Sequence, residues 1–101
     1  VLLQIHCESD FVAKSEEFQK LAKELCLQIA AMNPLFLKKE EVSPEFLAEG
    51  KSEKEKYKEE ISLLSQPWIR DETKNIQDLL NEYVAKFGEN ITVKKFVRFE
   101  I

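Results

Sequence analysis

The chain is poor in the residues that build most recognisable active sites. It has one histidine, His6, and two cysteines, Cys7 and Cys26, in 101 residues. A structural zinc site needs four ligands at short spacings, and that inventory cannot supply them. On a strand, His6 and Cys7 would point to opposite faces, so a Cys–His nucleophilic pair is not formed there either. Two cysteines are no disulfide framework and fit a reducing compartment; a bridge between two copies stays open. Only two glycines, Gly50 and Gly88, are present, which excludes a phosphate loop or a dinucleotide fingerprint. Three prolines are too few for a linker or a loop-rich all-β fold. No apolar run approaches the roughly 20 residues that span a bilayer. The start has no basic stretch like that of a signal peptide, and without an initiator Met the chain reads as a fragment. Excess positive charge is missing too: 19 acidic against 15 basic residues give a net charge of -4. Nucleic-acid binders carry the opposite sign, at least in a patch.

What is present is a folded-protein balance: 44% hydrophobic and 34% charged residues. One domain, residues 1–101, is expected from the length. Val1 to Cys7 alternates as a strand, with Val1, Leu3, Ile5 and Cys7 on one face. Glu8-Ser9-Asp10 breaks it with two N-cap types, and Phe11 to Lys14 has room for one helical turn. Ser15, followed by Glu16 and Glu17, caps a long helix. Phe18, Leu21, Ala22, Leu25, Cys26 and Ile29 form its apolar face. It ends near Met32, because Pro34 disfavours a helical Asn33. Ser43-Pro44 signals another helix start, with Phe46 and Leu47 as its face and Gly50 as its interruption. A third helix is expected from about Ser52 to Ser65, striped by Tyr57, Ile61 and Leu64. Its Lys/Glu run from Lys51 to Glu60 reads as a solvated face. Gln66 to Ile69 is a connector. Asn75 caps a fourth helix, and Gly88 ends it.

Ile91 to Ile101 alternates as a closing strand. Strict period 2 puts Ile91, Val93, Val97, Phe99 and Ile101 on one face, and Thr92, Lys94, Phe96, Arg98 and Glu100 on the other. The expected fold is therefore α+β: two layers, with a small antiparallel sheet packed against several helices, in strand–helices–strand order. Two strands make a thin sheet, so a missing strand or a second copy of the chain would complete it.

One segment resists a purely structural reading. Phe11 follows Glu8-Ser9-Asp10 at a strand-to-helix junction. It either seals that junction or stands out with Asp10 as an aromatic anchor for a partner.

Cys7-Glu8-Ser9-Asp10-Phe11-Val12-Ala13 resembles the Cys-Glu-Thr-Asp-Phe-Val-Ala signature of the elongation factor Ts family. The likeness continues through Ile29-Ala30-Ala31-Met32-Asn33-Pro34, Gln66-Pro67-Trp68-Ile69-Arg70-Asp71, Asp78-Leu79-Leu80, Gly88-Glu89-Asn90-Ile91 and Val93 to Glu100. Departures are Ser9 for the usual Thr, His6 for Asn, Trp68 for Phe, and a poorly matching, shortened stretch from Leu35 to Glu60. The resemblance implies a short, single-copy core domain without the family's N-terminal ubiquitin-associated-like domain and without the strand that precedes Val1. It implies a factor of the bacterial cytoplasm, or of an organellar matrix, that is not an enzyme and uses no cofactor or metal. The partner would be elongation factor Tu, GDP-bound and nucleotide-free, with GDP release promoted by an Asp10–Phe11 wedge and the turn shaped by Ser9 and Val12. The alternative is an isolated homodimerisation module with little exchange activity. Leu2 and Phe96, on the strand faces turned away from the helices, would be dimer contacts; no membrane or nucleic-acid partner is implied.

Overall fold

The computed structural model describes residues 1–42 and 54–100. Four helices and four strands are present among them: β1 (Leu2–His6), α1 (Asp10–Ala13), α2 (Glu16–Met32), α3 (Lys54–Ile61), β2 (Pro67–Trp68), β3 (Asp71–Asn75), α4 (Ile76–Phe87) and β4 (Thr92–Val97). Short 3-10 turns lie at Lys39–Glu41 and Leu63–Ser65. The fold is α+β, as the sequence implies, with its strands in two small antiparallel pairs, β1–β4 and β2–β3. The helix expected from Ser43-Pro44, with Phe46, Leu47 and Gly50, lies outside the described residues.

The long helices begin and end where local chemistry tells them to. Ser15 Oγ accepts from the Phe18 N–H at 3.2 Å, and Glu16 and Glu17 occupy the first turn. Asn33 closes α2 in the left-handed region, at φ 47°, with its N–H donating to Ile29 O. Asn tolerates that conformation better than most residues. At α4, Asn75 and Asp78 form a capping box: Asp78 N–H donates to Asn75 Oδ1 at 2.7 Å and Asn75 N–H to Asp78 Oδ2 at 3.2 Å. Gly88 ends α4 at φ 68°.

The apolar stripes of α2 and α4 meet in one core. Leu21, Leu25, Ile29, Leu63 and Ile76 are fully buried, and Val12, Phe18, Leu79, Leu80, Ile91 and Val93 nearly so. The Phe18 and Phe87 rings pack 6.5 Å apart at 59°, within the tilted geometry aromatic pairs favour. Gln28 sits in the same core with no exposure at all. Its Nε2 donates to Gln66 Oε1 at 3.2 Å and to Pro67 O at 3.0 Å, and its Oε1 accepts the Ile69 N–H at 2.9 Å. That side chain ties the β2–β3 hairpin to α2, and an Arg70–Glu24 ion pair at 2.5 Å lies beside it. The segment expected to be a plain connector, Gln66 to Ile69, is thus half of a hairpin.

Two further expectations change. The third helix stops at Ile61 rather than Ser65. Ser62 is extended and bridges Phe36, the Leu63 N–H donates to Phe36 O, and Leu35 and Phe36 donate to Ile61 O. Pairing with the segment after α2 takes the backbone groups a longer helix would have used. The second change concerns β4. Gln4 pairs with Lys95 but Ile5 pairs with Val93, so Lys94 is an extra, bulged residue. The bulge shifts the alternation by one. Phe96, opposite Leu3, therefore turns inward with Val93 and packs against the core. Val97, opposite Leu2, turns outward. The expectation that Phe96 shares the outer face with Leu2 is corrected: Leu2 is 65% exposed, and the residue paired with it on that face is Val97, 43% exposed.

Candidate functional site

Between β1 and α2 the chain makes one short helical turn, α1, and the four residues singled out above lie on or beside it. Ser9 is the N-cap, extended at φ -133°, and its Oγ accepts the Val12 N–H at 3.3 Å. Val12 points into the core and is 4% exposed. Phe11, next to it, is 86% exposed, and Asp10 is exposed as well. The four residues therefore divide into two that anchor and two that project. A Phe left in water forgoes the roughly 1.5–3 kcal/mol that burial of a large apolar side chain provides. The open alternative of a sealing Phe does not describe this chain, because Val12 fills the junction instead.

The turn is held from both sides. Ser15 Oγ donates to Val12 O at 2.7 Å while accepting from α2, so α1 and α2 share one hydroxyl. Gln19 Nε2 donates to Ala13 O at 2.8 Å. Cys7 Sγ–H donates to Ser9 O at 3.3 Å. From the far end of the chain, Glu89 Oε1 accepts the N–H groups of Glu8 (3.0 Å) and Ser9 (2.9 Å), and Glu89 Oε2 accepts the Ser9 hydroxyl at 2.6 Å. Glu8 answers by accepting the Asn90 N–H at 2.6 Å. Neither glutamate carries a local signal of this role. Glu89 directly follows the helix-ending Gly88, and only folding brings it to a residue 80 positions away.

A shallow, open depression runs beside the turn, lined by Asp10, Phe11, Lys14 and Ser15. It suits contact with a surface better than capture of a small molecule, which generally takes an enclosed, apolar pocket. Among the described residues no group of three or more His, Cys, Asp or Glu side chains is placed to hold a metal ion. None of the helices among them is long and apolar enough to cross a membrane. Leu2 stands at the start of β1 on the other exposed surface, the outer face of the β1–β4 sheet, while Phe96 lies beneath that sheet.

By class, this is a small α+β domain that displays an aromatic turn. Its sequence is 43% identical over 122 positions to elongation factor Ts from Thermodesulfovibrio yellowstonii, covering 100% of this chain and 61% of that protein. The same identity holds over 123 positions with elongation factor Ts of Desulforamulus reducens, at 100% and 57% coverage. It holds again with that of Caldanaerobacter subterraneus subsp. tengcongensis, at 99% and 61%. No family model matches the chain. With this identity sustained from end to end, the chain belongs to the elongation factor Ts family. It spans between 57% and 61% of the length of these three relatives.

Proposed function

We propose that this chain is the part of a translation elongation factor that contacts elongation factor Tu and promotes release of GDP from it. The observation that carries the reading is Phe11: an almost fully exposed aromatic side chain on a backbone fixed by Val12, Ser9 and Glu89. The names of the relatives supply the pathway. The resemblance stated above supplies the mode of action, entry of the Asp10–Phe11 pair between two helices of the GTP-binding domain near its magnesium and phosphate site.

No bond chemistry is required of the chain. GDP is held by Mg²⁺ and by contacts to its phosphates. A factor that binds the nucleotide-free partner more tightly than the GDP-bound partner must, by linkage, weaken GDP by the same ratio. Phe11 serves that end because packed helices have discrete arrangements and an inserted ring selects one of them. Burying the ring in the partner is worth about 2 kcal/mol relative to alanine, or about 30-fold in affinity for the state that accepts it. Its rigid presentation avoids part of the ordering cost of association.

The test is the rate of release of fluorescent GDP from elongation factor Tu with this chain added. Acceleration by wild type, and loss of at least about tenfold of it with Phe11→Ala, is the expected result. Equal rates for wild type and F11A would refute the wedge. No acceleration by a well-folded wild-type chain would leave the second reading, a homodimerisation module. That reading is favoured by the exposed apolar pair Leu2 and Val97 on the outer face of the sheet and needs no contribution from Phe96. A monomeric mass in sedimentation at tens of micromolar would exclude it.

A further inference from the structure

We propose that Glu89 is the positioning residue of the displayed turn: its carboxylate holds the Glu8–Ser9 backbone in the conformation from which Asp10 and Phe11 project. The functional consequence rests on the exchange-factor reading above; the positioning itself is a property of the free chain.

On its own, α1 is weak. It is a helix of four residues, and a single turn fixes several backbone dihedrals for very few hydrogen bonds. Its cap bond is long, 3.3 Å from Val12 N to Ser9 Oγ. Val12 pins the turn to the core, but Phe11 adds nothing to hold it, because it faces solvent. Ser15 and Gln19 hold the C-terminal side of the turn; the Glu8 and Ser9 N–H groups that lead into it depend on Glu89. Glu89 holds it through three donors at once, two backbone N–H groups and one hydroxyl, all at 3.0 Å or less. Hydrogen bonds to an ionised carboxylate are about twice as strong as neutral ones.

The Ser9 hydroxyl makes the carboxylate specific. It has one proton. Giving that proton to Glu89 Oε2 leaves an oxygen lone pair for the Val12 N–H, so Glu89 also orients the cap. Glu89 is itself fixed on both sides. Gly88 turns the chain out of α4 in the left-handed region, and Ile91 is buried two residues later. The reciprocal bond from Asn90 N–H to Glu8 Oε2 completes a two-carboxylate clamp between the start and the end of the domain. Ser9 and Val12 shape the turn locally; Glu89 decides which way it faces.

Glu89→Gln keeps size and removes charge. One amide oxygen can still take the two N–H groups, but the NH₂ then faces the Ser9 hydroxyl as a second donor, so the hydroxyl proton loses its charged acceptor. In the 101-residue E89Q chain, amide hydrogen exchange at Glu8, Ser9 and Val12 should quicken about tenfold, the factor one charge-assisted hydrogen bond supports. Core amides such as Leu25 and Leu80 should be unchanged. In the GDP-release assay, the concentration of chain for half-maximal acceleration should rise about tenfold while the saturating rate holds. A binding-competent conformer present in a tenth of molecules weakens apparent affinity by that factor and no more. Phe11→Ala should do the reverse and lower the saturating rate. If F11A behaves as wild type, the exchange reading falls and the clamp is judged on hydrogen exchange alone. If F11A loses activity while E89Q matches wild type in exchange and in half-maximal concentration, the clamp is overturned. Wholesale unfolding of E89Q would overturn it equally, since a positioning residue acts on one turn and not on the core.

Discussion

Gln28 is the residue whose replacement most directly tests how the domain is held together. It is wholly buried on α2, yet its amide serves three groups of another element: Gln66 Oε1, Pro67 O and Ile69 N. Gln28→Leu keeps the volume nearly constant, so the cavity contribution is small. What remains is the stranding of three partners. A buried polar group left without a partner costs about 1–3 kcal/mol. Gln66 is buried and bears that cost in full, while Pro67 O and Ile69 N lie nearer the surface and recover part of it from water. The net loss should be about 2–4 kcal/mol, a large share of the 5–15 kcal/mol typical of a domain. At about 4–8 °C per kcal/mol for a chain of this size, the melting point should fall by about 8–32 °C. Urea unfolding should show a lower midpoint at unchanged slope. A loss under about 0.5 kcal/mol would mean the buried amide is incidental. Gln66→Leu added to Gln28→Leu sharpens the test. With both amides gone neither strands the other, so the double variant should be less destabilised than the sum by about 1–2 kcal/mol.

Other consequences are simpler. Phe11→Ala should leave thermal stability within about 0.5 kcal/mol of wild type, because a side chain this exposed contributes little to folding; a larger drop by calorimetry would mean the turn is not displayed in solution. At Gly88, a Cβ would meet nothing within 4 Å, so Gly88→Ala should cost only the left-handed strain at φ 68°, about 1–2 kcal/mol. The Thr73 hydroxyl, and next its N–H, hold the Asp71 carboxyl below the ordinary carboxylate range. A depressed pKa means Asp71 stabilises the hairpin above the unfolded carboxyl pKa and loses that contribution as pH falls through its folded value. Thr73→Val should raise the Asp71 midpoint toward the ordinary range in an NMR titration, and an unmoved midpoint would contradict the assignment.

The elements legible in the sequence are those whose causes are local. Ser15 and Asn75 announce α2 and α4 because a cap and its N–H lie three residues apart, and Asn33 and Gly88 end them for equally local reasons. The β2–β3 hairpin gives no such signal. One strand is Pro67–Trp68, and the other, Asp71-Glu72-Thr73-Lys74-Asn75, has no apolar alternation. It exists because Gln28, 41 positions from Ile69, fixes its turn. The candidate site divides the same way. Ser9, Asp10, Phe11 and Val12 are adjacent and could be named from pattern and resemblance. Glu89 could not, since its meaning is a contact made across the whole chain.

The bulge at Lys94 shows how a single residue defeats a periodic reading, and it carries a prediction of its own. In a regular strand, deleting one residue moves every later side chain to the opposite face, at the cost of the buried set. β4 already contains one residue too many: Ile5 pairs with Val93 and Gln4 with Lys95, so Lys94 has no cross-strand counterpart. Removing Lys94 therefore restores strict alternation with the observed faces kept: Val93 in, Lys95 out, Phe96 in, Val97 out. Lys94 is exposed, and no buried contact leaves with it. The deletion should change stability by no more than about 1 kcal/mol, with some loss of local twist. Deleting Thr92, which pairs with His6, has no such compensation. It forces Ile91 or Val93, both buried, out of register, and should cost about 2–4 kcal/mol by removing one core side chain. Equal damage from the two deletions in chemical denaturation would mean that Phe96 owes its inward placement to something other than the extra residue.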